Sequence, residues 1–239
     1  LVRSRGLGDV YKRQEQYYRR FPGDRDRMRA VLDLAASGEL RTPNGDPVGP
    51  SRVRSLGHLL GGSGGAEKLH YLLEYEPTSR CFRYDLADLL PFGGRNVLYT
   101  VIHESSYADG VTTNWAAARC LPQAFRDDPT LLTGEHVMPE WFDEDSSLQP
   151  WKDVAQIIAE HPWPTLYDAD ALAASQVPCA AAIYHDDAYV PREYSLQTAA
   201  LLPGMHPWVT SQYEHNGSNA SGGGVLDRLI KLVHGDIVR

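Results

Sequence analysis

Residues 177–191, VPCAAAIYHDDAYVP, decide how this chain is read. Val177 to Tyr184 is uncharged, made of small and branched side chains, and too short for a helix; Pro178 lies at its entry. Such a run fits a strand buried on both faces of a parallel sheet. It stops at His185, Asp186 and Asp187, so its C-terminal end brings carboxylates to the edge where open α/β sheets hold their ligands. A helical segment, Ser195–Leu202, and a break at Pro203-Gly204 lead to a second short strand, Pro207–Tyr213, ending in Glu214, His215 and Asn216. Two successive strands therefore deliver an acid and then a histidine to one edge.

That order is the order of acid and base in the Ser-Asp-His triad of α/β-hydrolases, and it leaves the serine to be found. Asp187 is favoured over Asp186 as the acid, because Asp187-Ala188-Tyr189-Val190-Pro191 supplies the short turn and Val-Pro that follow the acid in that fold. In such a triad His215 would take the serine proton and return it to the leaving amine. Asp187 would fix the imidazole tautomer and stabilise the imidazolium, and backbone N–H groups would hold the oxyanion.

The rest of the chain is dominated by helical spacing. Asp24 stands where an N-cap is wanted, ahead of Met28, Val31, Leu32 and Ala35. RTPNGDPVGPS (41–51) is turn chemistry. From Ser51 to about Glu160, four sets repeat at i, i+3, i+4: Val53, Leu56, Leu59, Leu60; Leu69, Leu72, Leu73; Phe82, Leu86, Leu89, Leu90; and Val97, Leu98, Val101, Ile102. A last amphipathic helix, Val225–Val233, carries Leu226, Leu229, Ile230 and Val233 on one side. Residues 1–14, LVRSRGLGDVYKRQ, are basic and without sustained amphipathic period; they read as a non-native read-in. The fold class expected is α/β, with a helical region at 15–165 and a closing βαβα at 166–239.

With 23 basic and 31 acidic residues and a net charge of −8, neither a nucleic-acid partner nor an anionic membrane surface is expected. No apolar run approaches a membrane span, and the three widely spaced cysteines suit free thiols in a reducing, cytoplasmic compartment.

Two motifs invite misreading. Gly61-Gly62-Ser63-Gly64-Gly65 matches the G-x-S-x-G nucleophile elbow, but an elbow needs a buried strand before its serine. The preceding SRVRSLGHLL carries Arg52, Arg54 and His58 and reads as an amphipathic helix, so the glycines mark an inter-helix loop. His103-Glu104-Ser105-Ser106-Tyr107 falls one residue short of H-E-x-x-H, because Tyr107 cannot supply the second imidazole that zinc requires. No metal or other cofactor is implied; His185 with Asp186 and Asp187 is the weak remaining candidate for a cation.

PWVT with QYEHNG, AAIYHDDAYV, HESSYADG, LLTGEHVMPEWF, and SLGHLL followed by GGAEKLHYLLE jointly resemble the long form of prolyl aminopeptidase (proline iminopeptidase), from about Tyr17 to Val233. The resemblance implies the C-terminal part of an α/β-hydrolase with a large helical cap domain, and a serine exopeptidase that releases N-terminal proline from peptides. It also implies Asp187 and His215 as triad acid and base, and Glu104 and Glu135 as the carboxylates that hold the substrate's α-amine. A cationic amine needs such partners. The family's N-terminal half, which carries its nucleophile, has no counterpart here, so the chain itself is expected to be inactive. Another capped hydrolase (an esterase or an epoxide hydrolase) and a non-catalytic helical binding module are the rival readings.

Overall fold

The structure, a computed structural model, describes residues 7–238. It is helix-rich with one small parallel sheet, an arrangement compatible with the α/β class expected. In chain order the helices before the sheet are α1 (Leu7–Arg20), α2 (Asp24–Ala36), α3 (Pro50–Arg54), α4 (Gly65–Leu73), α5 (Arg80–Leu89), α6 (Val97–Val101), α7 (Ala116–Arg119), α8 (Gln123–Asp127), α9 (Trp141–Glu144), α10 (Lys152–Glu160) and α11 (Ala169–Ala173). Then come β1 (Cys179–Tyr184), α12 (Arg192–Ala200), β2 (Met205–Thr210), α13 (Gly217–Ala220) and α14 (Gly224–His234). Short 3₁₀ turns at Ser55–Gly61 and His103–Tyr107 matter below. Among the described residues no helix is long and apolar enough to cross a membrane, and the three cysteines are free.

The apolar spacing of α2 and α4 does what it predicts. Met28, Val31, Leu32 and Ala35 are buried, and they meet Leu69, Leu72 and Leu73 in a first core completed by Leu56 and Phe82. A second core gathers Val137, Met138, Trp141, Phe142 and Leu148 against α10 through Ala155. Fully burying side chains of this size contributes about 1.5–3 kcal/mol each, so the helical region carries most of the hydrophobic stabilisation.

Several expectations need correction. Asp24 is not an N-cap: Gly23 precedes the helix, and the Asp24 carboxylate is buried, accepting hydrogen bonds from Tyr17 and Arg27 and facing His70 Nδ1 at 2.9 Å. A buried carboxylate survives because such partners replace its water. Leu98 and Ile102 point outward, and only Val97 and Val101 of that set join a core. On α14 the buried positions are Val225 and Leu232, while Leu226 and Ile230 are exposed.

The sheet departs most from expectation. β1 pairs β2 in parallel from Cys179–Met205 to Tyr184–Thr210, with α12 against both strands and α14 against β1. Only Ile183 and Tyr184 of β1 are buried, and no residue of β2 is. The composition of β1 suits burial on both faces, but each strand has one partner among the described residues. Residues 1–6 lie outside the described residues. α1 nevertheless runs unbroken through position 14. Gln14 is buried and its Oε1 accepts from Leu132 N–H at 2.7 Å, so the segment set aside from the fold at its C-terminal end takes part in it.

A candidate acid–histidine site and its aromatic wall

The sheet edge builds the site through two short turns. Beyond β1, His185 N–H donates to Thr210 O and extends the ladder by one bond. A turn then closes from Asp187 N–H to Tyr184 O and lifts the Asp187 side chain away from the strand. Beyond β2, the chain turns at Glu214 and brings His215 over the same edge.

There His215 Nδ1 lies 2.8 Å from Asp187 Oδ2. An ionised carboxylate only accepts, so Nδ1 carries the proton and Nε2 keeps its lone pair. The other oxygen, Asp187 Oδ1, accepts from the N–H groups of Tyr189 (2.8 Å) and Val190 (3.0 Å). Burial pushes the Asp187 carboxyl upward, but the hydrogen bonds from His215 and the two N–H groups prevail and hold it below the usual range. The Asp187 hydrogen bond raises His215 above its ordinary value, against the opposing effect of burial; the Glu135 carboxylate raises it further. The Asp187 side chain is buried, whereas that of His215 is 43% exposed, so the imidazole remains accessible.

Asp186 has a different fate. Its carboxylate faces His185 Nδ1 on the exposed surface at 3.0 Å, and its carbonyl accepts two bonds from Arg13. Arg13 also pairs with Glu214, the neighbour of His215. Of the three side chains considered for a cation, His185 and Asp186 thus face each other, and Asp187 faces His215.

The helical region supplies the opposite wall. Tyr189 stacks on His58 (centroids 4.8 Å apart) and meets His215 edge-on at 4.8 Å. His58 in turn packs on Phe92 at 5.4 Å, and Phe92 on His103 and Tyr99. Phe92 holds a left-handed backbone, φ 62°, uncommon for a residue with a Cβ. This line of rings runs from His215 to Glu135, whose carboxylate accepts from Tyr99 OH and whose carbonyl accepts from Tyr107 OH at 2.8 Å. Tyr107 spends its one proton there, so His103 Nε2, 2.9 Å from the Tyr107 oxygen, carries the hydrogen in that contact. Burial holds His58 and His103 below their ordinary values, so both are neutral rings near pH 7.

Glu104 is buried in the turn beside His103. Its Oε2 accepts from Ala116 N–H at 3.2 Å, and its Oε1 has no hydrogen-bond partner among the described residues. The structure thus brings Asp187 and His215 into direct contact and sets Glu135 within electrostatic reach of His215, and Glu104 within that of His103. The aromatic wall went unread in the sequence, although Tyr189 stands inside the DAYVP frame and Tyr107 is the residue that spoils H-E-x-x-H. Ser63 follows a 3₁₀ turn rather than a strand, as expected of an inter-helix loop. Among the described residues, no serine is hydrogen-bonded to His215.

Comparison with known proteins bears on this arrangement. Over 93% of its length the chain is similar to a proline iminopeptidase of Aeromonas sobria, 34% identical across 234 residues. Over 92% it is similar to the proline iminopeptidase aneH of Aspergillus aculeatus, at 25% identity. The matches cover 55% and 52% of those proteins, so the chain spans about half the length of the curated relatives it matches. No family model matches the chain. The chain is a homologue of proteins named proline iminopeptidase, as the motif resemblance implied.

Proposed function

We propose that this chain is the C-terminal part of an α/β-hydrolase that releases N-terminal proline from peptides, with Asp187 and His215 as two members of a Ser-Asp-His triad. The observation that carries the reading is the His215–Asp187 contact of 2.8 Å, with Asp187 fixed by two backbone N–H groups and His215 Nε2 left available. In the forward step Nε2 removes the proton of a serine hydroxyl as that oxygen attacks the proline carbonyl carbon. The imidazolium, stabilised by Asp187, then gives the proton to the departing amine of the next residue, and water repeats the sequence to free proline. The serine is assigned to sequence beyond these 239 residues, and the isolated chain is expected to turn over no substrate.

The helical region, 15–165, acts in this reading as a cap over the site, and 166–239 closes the hydrolase sheet. Glu104 and Glu135 hold the α-amine of the substrate. The buried, unpartnered Oε1 of Glu104 favours that role, because a carboxylate oxygen shielded from water is costly until a cation or donor meets it. The two carboxylates suit a substrate bearing a cationic amine, which a simple ester or an epoxide lacks. Joining the chain to the N-terminal half of the Aeromonas sobria relative and assaying proline release from a proline arylamide tests the reading. Activity that His215→Ala abolishes is the expected result. A folded hybrid that cleaves simple esters but no proline amide would overturn the peptidase assignment.

A further inference from the structure

The glycine-rich loop 61–65 looks idle once it is denied the role of nucleophile elbow, yet it is the part of the helical region that touches the base. Gly61 O accepts the backbone N–H of His215 at 3.3 Å. Ser63 donates both its N–H (3.1 Å) and its hydroxyl (3.0 Å) to Asn216 Oδ1, the side chain next to His215. Tyr189 then closes the arrangement. Its N–H holds Asp187, its ring lies edge-on to His215, and its hydroxyl donates to His58 O, three residues before Gly61. A Cβ on Gly61 would lie 2.4 Å from Tyr189 Cζ, so the ring can reach this place only because residue 61 has no side chain.

We infer that Gly61, Ser63, Asn216 and Tyr189 form a positioning clamp that sets the backbone and ring plane of His215 so that its Nδ1 meets Asp187. None of the four touches a reacting atom; they act through His215. The inference rests on the reading of His215 as general base for its catalytic meaning, but its geometry is testable without turnover. Misplacing a catalytic group by about 1 Å costs up to roughly 100-fold in rate, so a clamp of this kind has catalytic weight. The groups facing His215 are Asp187 and Tyr189 from the β1 side and Glu135 and His58 from the helical region.

The test is to follow the His215 ring by NMR titration in the 239-residue chain, comparing wild type with Asn216→Ala, Gly61→Ala, Tyr189→Phe and Asp187→Asn. Asp187→Asn is the reference for a lost partner and should lower the His215 midpoint most. Asn216→Ala and Gly61→Ala should lower it in the same direction and broaden the Nδ1–H signal. Tyr189→Phe keeps the ring and should change it least, whereas Tyr189→Ala should resemble Gly61→Ala. In the hybrid enzyme, Asn216→Ala should reduce kcat about tenfold with KM unchanged. Should Gly61→Ala unfold the chain, Asn216→Ala, which only shortens a partly exposed loop side chain, still decides. An unmoved His215 in Asn216→Ala and Tyr189→Ala, with Asp187→Asn still shifting it, would overturn the clamp and leave the acid–histidine pair standing. No shift in Asp187→Asn would instead overturn the pair itself.

Discussion

The two parts of the molecule are built to different standards. The helical region seals Phe82, Leu86, Trp141 and Phe142 from water and ties the buried Asp24 carboxylate to several partners. The sheet region has the acid–histidine pair but buries only two residues of β1 and none of β2. The acid–histidine pair therefore sits on the part with less packing of its own. It gains order from turn hydrogen bonds and from the loop that reaches it out of the better-packed half.

If that contrast is right, truncation in the two halves must have unequal effects. Trp141→Ala should destabilise the chain by about 3–5 kcal/mol in urea unfolding, the range for a fully buried large aromatic. Val209→Ala on β2, 43% exposed, should lie within about 0.5 kcal/mol of wild type. Equal losses would erase the contrast.

Acid should strike the helical region first. Burial lowers His136 from 6.5 to about 4, and Gly134 N–H donates to its Nδ1, so the folded chain holds the ring neutral. The unfolded chain takes up that proton first, so stability falls as pH drops from about 6.5 to about 4, by on the order of 3 kcal/mol, and then levels. His58 and His103, also depressed by burial, act in the same sense. Urea midpoints at pH 7 and pH 4.5 check this, and His136→Gln should flatten the dependence.

The acid–histidine pair predicts a different window. A raised His215 stabilises the fold fully below about 6.5 and loses that contribution as pH rises through its folded midpoint. A depressed Asp187 stabilises above about 3.8 and loses its contribution as pH falls through its own. The pair therefore contributes most between these limits. Because His215 is exposed enough for solvent to screen it, Asp187→Asn should cost only about 1 kcal/mol near pH 5.5 and less near pH 9. A loss that grows toward alkaline pH would contradict the pairing.

The smallest effect belongs to α14. Leu226 is 60% exposed, so Leu226→Gln should change stability by less than about 0.5 kcal/mol. A loss of several times that would mean the face is covered in solution.

Legibility followed the same divide. Periodicity found the buried faces of α2 and α4 because a helix in a helical cluster needs only to know which side is apolar. The same rule misjudged α14, where apolar residues cover two overlapping sides and a two-stranded sheet can take only the one bearing Val225 and Leu232. The sequence order of Asp187 and His215 was readable from strand ends, since turns at a sheet edge are local. Asp24 was read as a cap because its partners Tyr17 and His70 come from other helices, which one helix's pattern does not reveal. The role of Gly61 was hidden for the same reason: it depends on Tyr189, 128 positions away (189 − 61).

The bond from His215 N–H to Gly61 O also has a mechanical consequence. His215 belongs by chain to the sheet region, where its ring meets Asp187, and its backbone is also hydrogen-bonded to the helical region. A hinge motion that swung the helices away from the sheet would have to break one of these attachments. If the backbone bond held, the turn carrying His215 would be drawn toward the helices and its imidazole pulled from the carboxylate that sets its tautomer. The pairing of His215 with Asp187 is thereby tied to the contact between the helices and the sheet edge.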